Sequence, residues 1–153
     1  FGNGKYPGLR SDLLFQDQVF PVCSPILITK DKPLKTPRDL IQHHQLIHLD
    51  WEAQGLPWPN WRMWMLAAGI RDFDDAAGLH FSQTSLAVQA ALNGQGVALG
   101  WRHLVDGLLT EGRLLDMTGH VMKTGSAFYV VWQKDRALSG DAQRVRDWLM
   151  GEV

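Results

Sequence analysis

Leu79-His80-Phe81-Ser82-Gln83-Thr84-Ser85-Leu86-Ala87-Val88-Gln89-Ala90-Ala91-Leu92-Asn93-Gly94-Gln95-Gly96-Val97-Ala98-Leu99-Gly100 is the stretch on which the fold turns. Leu79-His80-Phe81 predicts a short strand. Ser82 to Ser85 then offers several possible helix caps, and Leu86, Val88, Gln89, Ala91 and Leu92 carry a helix that Gly94 stops. Val97-Ala98-Leu99-Gly100 is apolar throughout, as expected for a strand covered on both faces. One strand, one helix and a second strand with short joints make the unit of an α/β sheet.

Outward from that unit the alternation continues. Downstream, a helix is expected from Arg102 to Thr110 and an extended piece at Leu114-Leu115-Asp116-Met117. Phe128-Tyr129-Val130-Val131-Trp132 is the strongest strand signal in the chain, rich in aromatic and β-branched residues. A last helix starts at Ser139, with Val145, Trp148 and Leu149 on one face. Upstream, Thr36-Pro37-Arg38-Asp39-Leu40 reads as a helix start: Thr36 caps, Pro37 suits the first helical position and Asp39 follows three residues after the cap. Leu46-Ile47-His48-Leu49 predicts a strand. Asn60-Trp61-Arg62-Met63-Trp64-Met65 starts another helix, with Trp61, Trp64, Met65 and Ala68 at helical spacing and Gly69 at the C-terminal end. Lys30 to Lys35 and Glu52 to Pro59 read as loops. The expected class is α/β with a mainly parallel sheet.

Length and charge narrow the function. The chain has 153 residues, 45% of them hydrophobic and 20% charged, the balance of a globular protein. Fifteen Lys and Arg against sixteen Asp and Glu leave a net charge of −1, so this piece alone is a poor binder of DNA. Cys23 is the sole cysteine, which excludes an intramolecular disulfide and fits a reducing cytoplasm. No signal peptide or long apolar run stands out. The first residue is Phe, not Met, and the chain reads as the middle of a larger protein.

Chemistry of other kinds finds little support. His43 and His44 are adjacent at a helix end, share no helix face and have no companion at metal spacing. Gly94-Gln95-Gly96 follows a helix and precedes a strand, the reverse of a dinucleotide fingerprint. Cys23 lies in an apolar run without a nearby His, and reads as packing. Asp74-Asp75 has no basic or metal companion, and there is no Gly-x-Ser-x-Gly elbow. No catalytic residue, metal ligand or cofactor is assigned.

An ordered series of short motifs adds a family resemblance. It comprises Phe20-Pro21-Val22-Cys23-Ser24-Pro25, Pro33-Leu34, Pro37-Arg38-Asp39-Leu40, Phe81 to Ala91 and Gly94 to Gly100. Leu104-Val105, Gly112-Arg113-Leu114-Leu115 and Val145-Arg146-Asp147-Trp148-Leu149 complete it. In order and spacing the series resembles LysR-type transcriptional regulators, in their glycine-cleavage-activator and β-lactamase-regulator branch. The resemblance implies an effector-binding domain with a type 2 periplasmic-binding-protein-like fold, two α/β lobes joined by two crossovers. On that mapping residues 1–19 are a remnant of lobe 1, 20–120 form a complete lobe 2, and 121–153 are a crossover strand and the C-terminal lobe 1 segment. The DNA-binding helix-turn-helix, the linker helix and the first part of lobe 1 are expected upstream. A partial lobe 1 leaves sheet edges that invite pairing.

The resemblance implies a cytoplasmic bacterial regulator, not an enzyme, that binds a small effector of the amino-acid or carboxylate kind between its lobes. It would touch DNA only through the absent helix-turn-helix and assemble as a homodimer or tetramer. The strand-to-helix junction is the expected contact: Ser82, Gln83, Thr84 and Ser85 combine hydroxyls with unpaired helix N–H groups and a dipole that favours anions. The local alternative is that one of them merely caps the helix. Asn3 is either a polar contact from lobe 1 or a turn residue between two glycines. Arg102 is either a fork for a carboxylate or a solvated side chain. Ser24, Trp51 and Trp58 are lesser candidates. The rival readings are an exported solute-binding protein of the same fold and an enzyme. The first would need a secretory signal upstream, the second a convergent set of titratable groups.

Overall fold

A computed structural model describes residues 1–50, 58–74, 76–116 and 118–152. Two compact units divide the chain, Gln18–Met122 and the pair of segments Phe1–Asp17 and Lys123–Val153.

The larger unit is built on strands β2 (Leu46–Leu49), β3 (Leu79–Phe81) and β4 (Val97–Trp101), joined by the end of the long strand β1 (Leu9–Val22). β2 lies between β3 and β4 and is parallel to both, with Ile47 opposite Leu79 and Ala98. β1 departs from the expected parallel pattern. It runs antiparallel to β4, pairing Val19 with Trp101 and Val22 with Ala98. Alternation along β4 explains its unbroken apolar run. Val97, Leu99 and Trp101 enter one core cluster with Leu40, Trp61, Trp64 and Met65. Ala98 enters a second cluster with Phe20, Val22, Ala87, Ala91 and Val105. A strand buried on both faces has no polar side to show.

Local chemistry starts the helices where the sequence marks them. In α1 (Pro37–His43) Thr36 accepts the Asp39 N–H and the Asp39 carboxylate accepts the Thr36 N–H, a complete capping box. In α2 (Trp61–Ala67) the Asn60 side-chain oxygen Oδ1 accepts the Met63 N–H at 2.9 Å. α3 (Thr84–Leu92) and α4 (Arg102–Thr110) follow directly from β3 and β4. Ser82, Thr84 and Ser85 do not cap α3: Gln83 holds the N-cap position and makes no side-chain bond there. The Leu114–Asp116 stretch is not a strand. Only Leu115 pairs, with Cys23, through backbone bonds of 2.8 and 3.2 Å; Met117 lies outside the described residues. Residues 52–57 of the expected loop, and the candidate Trp51 before it, also lie outside them. Trp58 is half-buried against the first cluster.

The smaller unit holds the beginning of β1, the strand β5 (Met122–Gln133) beside it from Lys123 onward, and helix α5 (Gly140–Gly151). Gly2 and Ala127 exchange backbone hydrogen bonds of 3.0 and 2.8 Å. Phe15 stacks on Phe128 with centroids 4.8 Å apart. Arg146 of α5 is ion-paired with Asp12 and lies over the Trp132 ring. No α5 residue is buried, and Val145 and Trp148 of its expected apolar face are 56% and 61% exposed. No helix among the described residues is long and apolar enough to cross a membrane.

Candidate functional site

Parallel strands bring their carboxyl ends to one edge, where the next helices begin. In the larger unit that edge carries Asp50 after β2, His80 near the end of β3 and Trp101 at the end of β4. The first turn of α2 adds Asn60 to Arg62, and α3 adds its first residue, Thr84. These side chains line a cavity of about 420 Å³, within the size range of small-molecule sites. Leu49, Leu99, Trp61 and Ala87 supply apolar wall.

A two-histidine cluster forms the polar side. His48 and His80 are directly opposite in the β2–β3 register, and their rings stack with centroids 4.5 Å apart and planes 6° off parallel. His48 Nε2 donates to the Ala77 carbonyl at 3.0 Å, and His80 Nε2 to the Ala76 carbonyl at 3.2 Å. His80 Nδ1 lies 2.9 and 3.1 Å from the two Asp50 carboxylate oxygens. The Asp50 hydrogen bond, then the Ala76 carbonyl, raise the His80 pKa above its ordinary 6.5. Glycine lets the strands approach here: a Cβ on Gly78, at φ +147°, would lie 2.2 Å from the Leu46 carbonyl oxygen.

Trp61 closes the inner wall, its indole N–H donating to the Ile47 carbonyl at 2.8 Å. The buried Trp101 indole N–H has no hydrogen-bond partner among the described residues. Cys23 is buried away from this edge, and burial pushes its thiol up to about 11, which suits packing. No group of three or more His, Cys, Asp or Glu among the described residues is placed to hold a metal ion.

The expected contacts separate on this framework. Thr84 lies in the cavity wall, half-buried. Ser82, Gln83 and Ser85 are exposed on the same turn, outside the lining. Arg102 donates to Gln18 at 2.7 Å, reaches Asp106 at 3.5 Å and sits over the Phe20 ring at 4.6 Å. Asn3, in the smaller unit, accepts the Lys5 N–H at 3.0 Å, the bond of a turn residue. Ser24 is buried, its N–H bonded to the Ala91 carbonyl. Sequence reasoning missed His48, Asp50, Arg62, His80 and Trp101. The available signal was a polar His inside each of two short apolar strands, Leu-Ile-His-Leu and Leu-His-Phe.

The mixed sheet with helix N-termini at the carboxyl ends of its parallel strands has the type 2 periplasmic-binding-protein-like fold. The effector domain of the transcriptional regulator AmpR of Pseudomonas aeruginosa superposes with TM-score 0.69 at 22% identity, covering 98% of this chain and 68% of that one. The AmpR effector-binding domain of Citrobacter freundii gives 0.72 at 20% identity, over 99% of this chain and 70% of that one. The family model of the LysR substrate-binding domain matches residues 1–153, and the chain belongs to that family. It is 34% identical over 156 residues to the glycine cleavage system transcriptional activator of Escherichia coli strain K12. That match takes in the whole of this chain and 48% of the relative, so the chain spans about half the relative's length.

Proposed function

We propose that this chain is the effector-sensing part of a LysR-type transcriptional regulator and that its effector binds in the cavity at the β2, β3 and β4 carboxyl edge. The carrying observation is Thr84: it lies in the cavity wall and opens a helix whose N-terminus no side chain caps. A hydroxyl and unpaired helix N–H groups suit a small carboxylate or other anion. Ser82, Gln83 and Ser85 flank Thr84 on the turn and are assigned lesser roles at the mouth. The domain does no chemistry of its own. Binding shifts the equilibrium between two arrangements of the regulator, with coupling of about 1–3 kcal/mol between effector and DNA. DNA contacts, homo-oligomeric assembly and a cytoplasmic location follow from this reading.

Calorimetry of the full-length protein against amino acids and small carboxylates tests it. The effector found should bind about tenfold more weakly to Thr84→Val, the loss expected for one hydrogen bond, and nearly unchanged to Ser85→Ala. Equal affinity for the parent and Thr84→Val would remove Thr84 from the site.

A further inference from the structure

The cavity rim contains an arrangement that requires a proton. His80 is held between two acceptors, the Asp50 carboxylate at Nδ1 and the Ala76 carbonyl at Nε2. Neutral imidazole has one N–H and can serve only one of them, whereas imidazolium serves both. These acceptors lie on different segments. Asp50 follows β2 and donates its own N–H to the Phe81 carbonyl at 2.8 Å. Ala76 belongs to the segment that leads into β3 and is itself held by Asp74, whose carboxylate accepts the Ala76 N–H at 3.0 Å.

We propose that His80 is a proton-operated clasp on the cavity: with its proton it fastens the lead-in to β3 onto the residue after β2, and without it one end lets go. Among the described residues, the charged and titratable groups around it are Asp50 after β2, His48 of β2, Asp74 of the lead-in and Arg62 of α2, which lines the same cavity. His48 takes the neighbouring Ala77 carbonyl, so both imidazoles grip successive residues of one segment. Release by His80 leaves His48 as a side-chain tie among the described residues. The proton also sets the charge a ligand meets. Protonated His80 offsets the Asp50 charge. The neutral ring leaves that carboxylate's charge uncompensated by His80 at the cavity wall. Anionic ligands should therefore bind more tightly as pH falls, a consequence that rests on the cavity being the effector site.

His80 is raised above 6.5 in the folded chain, so the clasp is complete below that pH and is lost as pH rises through the raised value. Hydrogen exchange of the ligand-free full-length protein, read by mass spectrometry at pH 5.5 and 8.5 and corrected for the intrinsic pH dependence of exchange, tests this. Peptides covering residues 74–81 should lose protection several-fold at the higher pH in the parent, while those of β4 stay constant. His80→Gln should abolish the difference, and Asp50→Asn should move its midpoint towards that of an ordinary histidine. Equal corrected protection of residues 74–81 at both pH values, or a difference that survives His80→Gln, would overturn the clasp. Both variants are at exposed positions, and an unchanged thermal transition identifies intact folding. No ligand is needed, so failure here leaves the effector-site reading standing, and failure of that reading leaves the clasp.

Discussion

Trp61 serves the core and the cavity at once. It is buried against Trp64, 5.8 Å away and edge-on, while its ring also lines the cavity. Its N–H adds a hydrogen bond to the Ile47 carbonyl, an oxygen that also faces the β2–β4 ladder. Trp61→Phe keeps most of the apolar surface and removes that donor. The variant should lose about 0.5–1.5 kcal/mol of stability, the net worth of one hydrogen bond, since the β2–β4 ladder still engages the Ile47 carbonyl. Urea unfolding of both proteins measures this, and indistinguishable midpoints would mean that another donor takes over. Arg102 shows the opposite case, a polar side chain at the right edge that is already engaged. Its partners Gln18 and Asp106 and the Phe20 ring give the guanidinium fixed structural work. Spacing along the chain could place Arg102 at the start of a helix but could not reveal Gln18, 84 residues distant.

At the scale of elements, legibility followed the strength of local chemistry. The capping box at Thr36 and Asp39, the Asn60 cap and the stop at Gly94 were readable because each is complete within a few residues. The beginning of β1 was not. Leu9 to Gln18 mixes charged and apolar residues without alternation, and only from Val19 onward is the strand fully buried. The cap of α3 was misread for a different reason. The backbone turns helical after Gln83, so the Thr84 and Ser85 hydroxyls lie within the first turn, where they cannot take the N-cap bond. Thr84 instead lines the cavity. The partners of His80 come from two other segments, and so the cluster had no local pattern to show. Asp39→Ala tests the element that was read best. At neutral pH it should cost about 1 kcal/mol. The Lys35 and Thr36 N–H groups hold the Asp39 carboxyl below its ordinary 3.8, so its contribution is full above that value and fades as pH falls through the lowered one. Denaturation of parent and variant at pH 7 and near pH 2.5 should show the gap closing in acid; a gap equal at both would deny the carboxylate its role.

For the whole molecule the contrast is between the two units. Gln18–Met122 has apolar clusters on both faces of its sheet. In the other unit no α5 residue is fully buried; Arg146 pairs with Asp12 and lies over Trp132, and Leu149 and Met150 are half-buried. Local opening follows burial. In the 153-residue chain, α5 amides should therefore exchange orders of magnitude faster than those of α3, and equal protection would contradict this division of stability. The architecture was legible from one strand–helix–strand stretch because that stretch builds the better-packed unit. The cavity was only half legible, since the turn pointed to Thr84 but nothing local pointed to the residues that line it from the other elements. The central claim is that a small effector sits at this edge. A crystal structure of the full-length protein with its calorimetrically identified effector tests it most directly. The account predicts ligand density among Asp50, His80 and Trp101 with a polar atom within hydrogen-bond distance of the Thr84 hydroxyl. Ligand density elsewhere, with this cavity holding only water, would contradict it.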